Sequence, residues 1–266
     1  MNEPSVELVY FSPTHTTRAV LEGISQGIGA GKIQHLDLTL PGSETIAHTK
    51  PAADLVMIGA PVYTGRVSQT AVNRLSRLKA DNTPAVIVVV YGNRAYEDAL
   101  LELKHLAEAA GFCPIAAGAF IGEHSFATGP LPIAYGRPDE ADFEAAVAFG
   151  RKIRDRLNSF QAPDPIPPVQ VPGNFPYRER TKLPKGSPTT TPALCILCGT
   201  CAGGCPTGAI SVGDAVITDV DSCIYCCACV KNCPEKARVL DIPALTEITV
   251  RLNNSCGDRK TPEFFI

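Results

Sequence analysis

The sequence predicts an α/β fold with a doubly wound parallel sheet, followed by a small cysteine-rich domain. Over the first 160 residues, short apolar runs alternate with stretches whose apolar residues recur at three- and four-residue steps. A proline-rich stretch comes next, and after it one cysteine motif occurs twice. With 266 residues and 45% hydrophobic content, the chain is long enough for one ordinary domain and one small one.

Five apolar runs are predicted to be strands. They are rich in Val, Ile and Leu with little alternation, which is typical of parallel strands covered on both faces. Since ligands of such sheets bind at the carboxyl ends of the strands, the residues that follow each strand are the candidate site. The predicted strands are 6–11, 33–38, 55–59, 85–91 and 114–121, and the predicted helices are 17–28, 68–78, 96–110 and 139–160.

The rest of the chain divides by composition. Residues 1–160 form the predicted sheet domain, and prolines crowd residues 161–190, which indicates an extended, semi-rigid connector. Residues 191–241 hold both cysteine motifs. The tail, 242–266, ends in the apolar sequence Pro-Glu-Phe-Phe-Ile, so we expect it to pack back on the protein.

The cysteine motif reads C-x2-C-x2-C-x3-C-P, and its two copies lie 28 residues apart at each of the four cysteines. This is the spacing with which bacterial ferredoxins hold iron–sulfur clusters, the fourth cysteine of each copy completing the other cluster. A zinc site or a disulfide framework fits the pattern poorly. The motif therefore predicts electron transfer through two 4Fe–4S clusters, one held by Cys195, Cys198, Cys201 and Cys233 and the other by Cys205, Cys223, Cys226 and Cys229.

Composition excludes several other functions. The net charge of −3 argues against a nucleic-acid surface, and no apolar run approaches the roughly 18–20 residues of a membrane span. The chain begins without an apolar signal segment, and its eleven cysteines indicate a reducing interior. We expect a cytoplasmic protein from a cell that tolerates oxygen-sensitive clusters. The sequence leaves open whether it forms a homodimer.

A hydroxyl-rich loop follows the first predicted strand. In Ser12-Pro13-Thr14-His15-Thr16-Thr17, hydroxyls and unpaired amides at the start of a helix predict an anion site. The alternative is helix capping by Ser12 or Thr14. The loop lacks G-x-x-x-x-G-K-[ST], so we do not expect a nucleoside triphosphate.

The third predicted strand ends in G-A-P-V-Y-T-G-R, residues 59–66, and the fourth in Y-G-N-R-A-Y-E-D, residues 91–98. With these loops, the first 160 residues resemble a flavodoxin and the whole chain resembles the flavodoxin–ferredoxin fusion proteins. The resemblance implies the strand order 2-1-3-4-5, a small α+β ferredoxin-like domain, and bound FMN. It also implies FMN phosphate contacts from Ser12, Thr14, His15, Thr16 and Thr17, and ring contacts from Pro61, Val62, Tyr63, Thr64 and Gly65 and from Tyr91, Gly92, Asn93, Arg94, Ala95 and Tyr96.

Two details of the implied ring site are specific to this chain. Gly65 is the candidate for the loop peptide that turns toward the flavin on reduction in flavodoxins. The chain has no tryptophan, so Tyr63, Tyr91 or Tyr96 must stack on the ring, or the ring is more open than usual. Tyr91 and Tyr96 also fit a simple packing role.

The leading hypothesis is an electron-transfer protein that passes low-potential electrons between two 4Fe–4S clusters and FMN. Its partner would be a redox protein, a ferredoxin or a low-potential oxidoreductase, or a small-molecule acceptor. The alternative is an FMN-dependent reductase fed by its own ferredoxin domain, with His124, Arg66 and Tyr63 as candidate catalytic residues. An open cavity lined by His124 and Arg66 favours the reductase, and a ring edge facing the cluster domain favours the carrier. The roles of Cys113, Cys227 and Cys256 stay open.

Overall fold

The computed structural model describes residues 3–45, 51–159 and 167–266. The last residue of the predicted helix 139–160 and the first six of the predicted connector lie outside the described residues. The strands are β1 (Ser5–Tyr10), β2 (Lys32–Asp37), β3 (Leu55–Tyr63), β4 (Arg66–Val67), β5 (Thr83–Tyr91), β6 (Phe112–Ile121), β7 (Thr189–Thr190), β8 (Ile210–Val212), β9 (Val216–Thr218), β10 (Arg238–Val239) and β11 (Glu263–Phe265). The α-helices are α1 (Thr16–Ile28), α2 (Gln69–Leu75), α3 (Ala99–Ala109), α4 (Glu140–Ser159), α5 (Thr200–Gly203), α6 (Ala228–Lys231) and α7 (Pro243–Ser255), with short 3-10 helices at Pro41–Thr45 and Pro192–Leu194.

Five parallel strands form the centre of the main sheet, in the order β2-β1-β3-β5-β6. Numbered along the five predicted strands, this order is 2-1-3-4-5, so the predicted doubly wound flavodoxin-like fold is confirmed. Because the strands are parallel, their carboxyl ends share one edge of the sheet. The loops after β1, β3, β5 and β6 therefore meet there.

Two further strands extend this sheet. Strand β4 turns back on β3 in a hairpin, because Thr64 and Gly65 adopt φ of 52° and 80°, the left-handed pair that a tight two-residue turn requires. Strand β11, from the tail, pairs antiparallel with β6 at the sheet edge. Phe264 of β11 stacks on Phe149 of α4 with ring centroids 4.5 Å apart, which holds the tail on the first domain. Three residues are too few to show a strand in the sequence pattern.

The core lies on both faces of the sheet. On one face β-strand residues pack against α2 and α3, and on the other against α1 and α4. Gly27 and Gly150 let α1 and α4 approach closely, since a Cβ at either position would overlap backbone of the facing helix. From the sequence, residues 27–31 are predicted to be the end of a helix followed by glycines in a loop. Gly29 is the left-handed cap, with φ of 69°, whereas Gly27 lies inside α1.

The cysteine-rich domain consists of two short antiparallel pairs, β7 with β10 and β8 with β9, and the single-turn helices α5 and α6. It packs directly on the sheet domain. The buried Arg74 guanidinium donates to Pro206 O over 2.7 Å, and also to Leu38 O and Thr39 O. Within the described ranges, no helix has the length and apolar character needed to cross a membrane.

Candidate functional site

A cavity of about 400 Å³ opens at the carboxyl edge of the sheet, here called the strand-end cavity. This is the position that the switch-point rule predicts for a ligand of such a sheet. Residues at the carboxyl ends of the strands, and in the four loops after β1, β3, β5 and β6, line it. From the predicted set these are Ser12, Thr14, Thr16, Thr17, Pro61, Val62, Tyr63, Thr64, Gly65, Tyr91, Gly92, Arg94, Ala95 and His124.

The loop after β1 has the features of an anion site. The amide of Arg18 donates to Ser12 Oγ, which shapes the turn into α1. The first amides of α1, at Thr16 and Thr17, lack intrahelical partners because they begin the helix, and both residues line the cavity. Thr17 Oγ1 is buried and has no hydrogen-bond partner within the described part of the chain. A buried hydroxyl left in this state costs free energy unless a ligand satisfies it.

His15 occupies a different place from the one predicted. It is the N-cap of α1 in the left-handed conformation, with φ of 64°, and its residue does not line the strand-end cavity. The backbone of His15 shapes the loop: its amide donates to Ser12 O and its carbonyl accepts from Ala19 N. The contribution of His15 to this site is therefore conformational.

The β3–β4 hairpin brings its whole tip to the cavity. Gly65 lies against the loop after β5, where its carbonyl accepts from Asp98 N over 3.1 Å and a Cβ would overlap the Glu97 carboxylate. Tyr63 lines the cavity and is half-buried. Burial raises its pKa well above the ordinary value, and the nearby thiols of Cys226 and Cys227 add to the rise. Tyr63 therefore stands between the sheet and the cysteine-rich domain as a neutral phenol.

In the loop after β5, Asn93 and Tyr96 do not line the cavity. Asn93 is buried and donates from Nδ2 to Cys256 O at 2.7 Å and to Asp258 O at 2.9 Å, so it anchors the tail. Tyr96 packs edge-on against Tyr91 at 5.4 Å and donates its hydroxyl to Glu263. Both side chains hold the loop to the tail.

Of the other two candidate catalytic residues, His124 lies at the strand-end cavity and Arg66 does not. His124 lines the cavity, and its Nδ1 accepts from Phe126 N at 3.1 Å. Burial lowers the pKa of His124 to about 4, with further lowering by Lys231 and Arg94, so the imidazole is neutral at pH 7. Arg66 does not line the cavity, because its guanidinium is held by both carboxylate oxygens of Glu102.

Three other parts of the chain complete the strand-end cavity. They lie far from the strand ends in sequence, and nothing local in their composition indicates the contact. One of them belongs to the second cysteine motif, which the cysteine spacing locates, but only the packing of the two domains shows that this motif also faces the cavity. These residues are Arg178, Thr181 and Leu183 of the predicted connector, Ile224 and Tyr225 of the second cysteine motif, and Ile248, Arg251 and Leu252 of α7.

The eight motif cysteines surround two small cavities of equal size. The outer cavity is lined by Cys195, Cys198, Cys201 and Cys233. The inner cavity is lined by Cys205, Cys223, Cys226 and Cys229, and also by Cys227, which belongs to neither group of four. These are the two groups of four that the motif predicts, with the fourth cysteine of each copy crossing to the other group.

Hydroxyl and N–H groups lie near several of these thiols. Thr200 Oγ1 lies 3.3 Å from Cys198 Sγ, and the amide of Ala237 donates to Cys233 Sγ over 3.3 Å. Within the described residues, no three His, Cys, Asp or Glu side chains are grouped to hold a single metal ion. A 4Fe–4S cluster does not need side chains grouped around one ion, because its four cysteine ligands surround a cubane.

The inner cavity and the strand-end cavity share a wall. Ile224 lines both of them, and it lies between Cys223 and the loop residue Tyr225. The hydroxyl of Tyr225 donates to Pro184 O over 2.5 Å, which fixes the loop against the connector. One loop of the second cysteine motif therefore separates the two cavities.

Comparison with known proteins supports the prediction that the cysteine-rich domain is of the ferredoxin type. Residues 188–211 match the family model described as the 4Fe-4S binding domain. No curated protein sequence matches the chain. Together with the strand order of the sheet, this match makes the chain a fusion of a flavodoxin-like domain and a ferredoxin-type 4Fe–4S domain.

Solved structures similar to the chain include two flavodoxins and a larger enzyme. A flavodoxin from the domain Archaea aligns at 13% identity with a TM-score of 0.39, covering 58% of this chain and 99% of that one. The Streptococcus pneumonia flavodoxin aligns at 13% identity and TM-score 0.42, covering 57% and 99%. Rubredoxin oxygen:oxidoreductase from Desulfovibrio gigas aligns at 14% identity and TM-score 0.40, covering 59% of this chain and 37% of that one.

Proposed function

We propose that the protein is an electron-transfer flavo-iron–sulfur protein, which passes low-potential electrons between two 4Fe–4S clusters and FMN. The observation that carries this proposal is the wall shared at Ile224. Electron transfer between buried centres needs them to lie close together. A cluster in the inner cavity and a flavin in the strand-end cavity are separated by a single loop, in which Cys223 and Cys226 are themselves cluster ligands.

The residues of the strand-end cavity fit FMN. Thr17 Oγ1, which lacks a protein partner among the described residues, and the first amides of α1 supply donors for a phosphate. Tyr63 and Tyr91 supply aromatic surface in the same cavity. When bound, FMN takes up electrons in pairs or singly, which links two-electron chemistry to the single electrons that clusters carry.

The walls of the cavity favour a carrier over an open reductase site. Leu183, Ile248 and Leu252 bring apolar side chains to it from the connector and α7, which excludes water from that side. Arg66, the cation expected above the ring in a reductase, is instead paired with Glu102. The cavity therefore faces the cluster domain and is partly covered by the tail.

We further propose a redox protein as the partner, a ferredoxin or a low-potential oxidoreductase, docking at the outer cavity. Cys198 is the exposed thiol among the eight motif cysteines, so the outer cluster is the one that reaches the surface. Leu194, Ile196 and Leu197 beside it are 51%, 64% and 43% exposed. Electron-transfer encounters use small interfaces of this kind. A small-molecule acceptor is the other outcome that a test must distinguish.

We place the protein in the cytoplasm of a cell that tolerates oxygen-sensitive clusters. All eleven cysteines, each within the described ranges, are free thiols. Eight of them are ligands in this proposal and require a reducing compartment.

The testing experiment is anaerobic reconstitution with iron, sulfide and FMN, followed by a reductive titration. We expect eight irons, eight sulfides and one FMN per chain, as two 4Fe–4S clusters require, and electrons that equilibrate among the three centres. A protein that holds both clusters but leaves the cavity empty when offered FMN would contradict the proposal. So would clusters and flavin that titrate without exchanging electrons.

One observation keeps the reductase as a second candidate. His124 lies on the cavity, and because Nδ1 accepts from Phe126 N, its proton is on Nε2. A neutral imidazole with a free N–H can donate to a bound substrate. A turnover screen with a reduced viologen and small-molecule acceptors separates the two functions: steady turnover that falls in His124→Gln supports the reductase.

A further inference from the structure

The two cysteine motifs are repeats offset by 28 residues, so each position in one has a counterpart in the other. At the position five residues after the fourth cysteine, the first copy has Ile210 and the second has Arg238. Ile210 lines the inner cavity, and Arg238 lines the outer one. A buried aliphatic side chain in one half is therefore matched by a cation in the other.

Arg238 is buried, 3% exposed, and lies between the two cavities. Although it lines the outer cavity, its Nη2 points the other way, 3.8 Å from Cys229 Sγ of the inner cavity. The same nitrogen donates to Pro188 O at 2.8 Å and Thr218 Oγ1 at 2.9 Å, and both of these residues line the inner cavity. Nη1 donates to Thr190 Oγ1 at 2.7 Å.

Arg238 forms none of the salt bridges found among the described residues, and its buried Nε has no hydrogen-bond partner there. A buried guanidinium without a carboxylate is costly unless another negative group balances it. With clusters bound, it would face their thiolates: Cys229 Sγ is 3.8 Å from Nη2, and Cys201 lines the outer cavity together with Arg238. Reduction of a cluster adds negative charge, which a nearby cation and N–H donor stabilise.

We propose that Arg238 is the shared counter-cation of both clusters, and that its contact with Cys229 makes the inner cluster the easier of the two to reduce. This inference rests on the proposed function. The step it favours is the transfer of one electron, in which the outer cluster is oxidised and the inner cluster is reduced, with no bond made or broken. Electrons then reside next to the strand-end cavity instead of at the surface.

The test is a redox titration monitored by electron paramagnetic resonance on the reconstituted protein, with Cys198→Ser used to assign the outer cluster. In the unmodified protein the inner cluster must have the higher potential. Arg238→Gln, and Arg238→Ile as the repeat counterpart, should lower the inner potential by at least a tenfold change in its reduction equilibrium, about 59 mV for one electron. Arg238→Lys should lower it less, because the charge remains.

Lys236→Gln is the matched control, since it removes one positive charge at an exposed position of the same segment. An inner potential that moves no further in Arg238→Gln than in this control would overturn the inference. A higher potential at the outer cluster of the unmodified protein would overturn it also, even if the variants fail to fold. Iron and sulfide counts below two clusters per chain would instead contradict the proposed function.

Discussion

Lys231 and Glu123 form an ion pair across the two domains, with 2.5 Å between Nζ and Oε1. The same ammonium donates to Ala127 O at 2.6 Å, and Glu123 Oε2 accepts from Gly136 N at 2.9 Å. Lys231 is the last residue of α6 and comes two residues after Cys229. Its pairing with Glu123 joins this helix to the loop that carries His124. It therefore holds the inner cavity against the strand-end cavity.

We expect Lys231→Met to loosen this contact. A charged hydrogen bond with partners about one-fifth exposed is worth on the order of 1 kcal/mol, so thermal stability should fall modestly. Electron transfer between clusters and flavin, measured by stopped flow, should slow by more than that loss of stability explains, because the domains are less closely held.

Lys104→Met is the control for Lys231→Met. Lys104 pairs with Glu108 within α3, 2.9 Å apart, and touches neither cavity. Equal slowing of internal transfer in both variants would show that the interdomain pair has no special role.

The hydroxyl of Thr17 provides a test of the phosphate site. Thr17→Val should weaken FMN binding by roughly tenfold, about 1.4 kcal/mol, a typical value for a lost hydrogen bond to a charged group. The protein without FMN should not lose stability, since this hydroxyl has no partner in the described structure. Ser25→Ala is the control, because its buried hydroxyl donates to Glu22 O on the same helix, away from the cavity. Unchanged FMN affinity in Thr17→Val would refute the assignment.

Gly65 and Gly136 form a matched pair of positions with positive φ, 80° and 74°. Alanine at either position carries the strain of the left-handed region, about 1 kcal/mol. Only at Gly65 does the added Cβ meet the Glu97 carboxylate, whereas Gly136 faces open space. Gly65→Ala should therefore lower the denaturation midpoint and the FMN affinity more than Gly136→Ala. Similar losses in the two variants would remove the close contact as the cause.

His124 should make stability depend on pH. The unfolded chain binds a proton near pH 6.5, but burial holds the folded pKa at about 4. Between these values the unfolded state binds more protons, so stability falls as pH falls from about 6.5 to 4, by up to about 3 kcal/mol. His124→Gln should flatten this part of the profile in chemical unfolding at pH 5 and pH 7. A variant with the same pH slope as the unmodified protein would show that another group is responsible.

The sequence predicted local features well. Cysteine spacing is local, so it indicated the same two groups of four that surround the inner and outer cavities. Unbroken apolar runs indicated a parallel sheet, and its strand order confirms the predicted fold. Helix α3 begins at Ala99 and not at 96, because Glu97 adopts φ of 45° and continues the loop.

Contacts between distant segments could not be predicted in this way. Arg66 follows a strand end and therefore looked like a site residue, but Glu102, 36 residues later, holds its side chain. Asn93 anchors the tail, and nothing near it in sequence indicates that partner. Ile248 and Leu252 show ordinary helical spacing, and only the folded chain shows that they cover a cavity.

The most direct test of the account compares Cys226→Ser with the unmodified, fully reconstituted protein. When a low-potential one-electron donor is mixed in under anaerobic conditions, we expect electrons to reach FMN rapidly in the unmodified protein. In Cys226→Ser, which disrupts the inner cluster, flavin reduction should slow at least tenfold while FMN binding persists. Equal rates of flavin reduction in the two proteins would contradict the central claim that the inner cluster delivers electrons to the strand-end cavity.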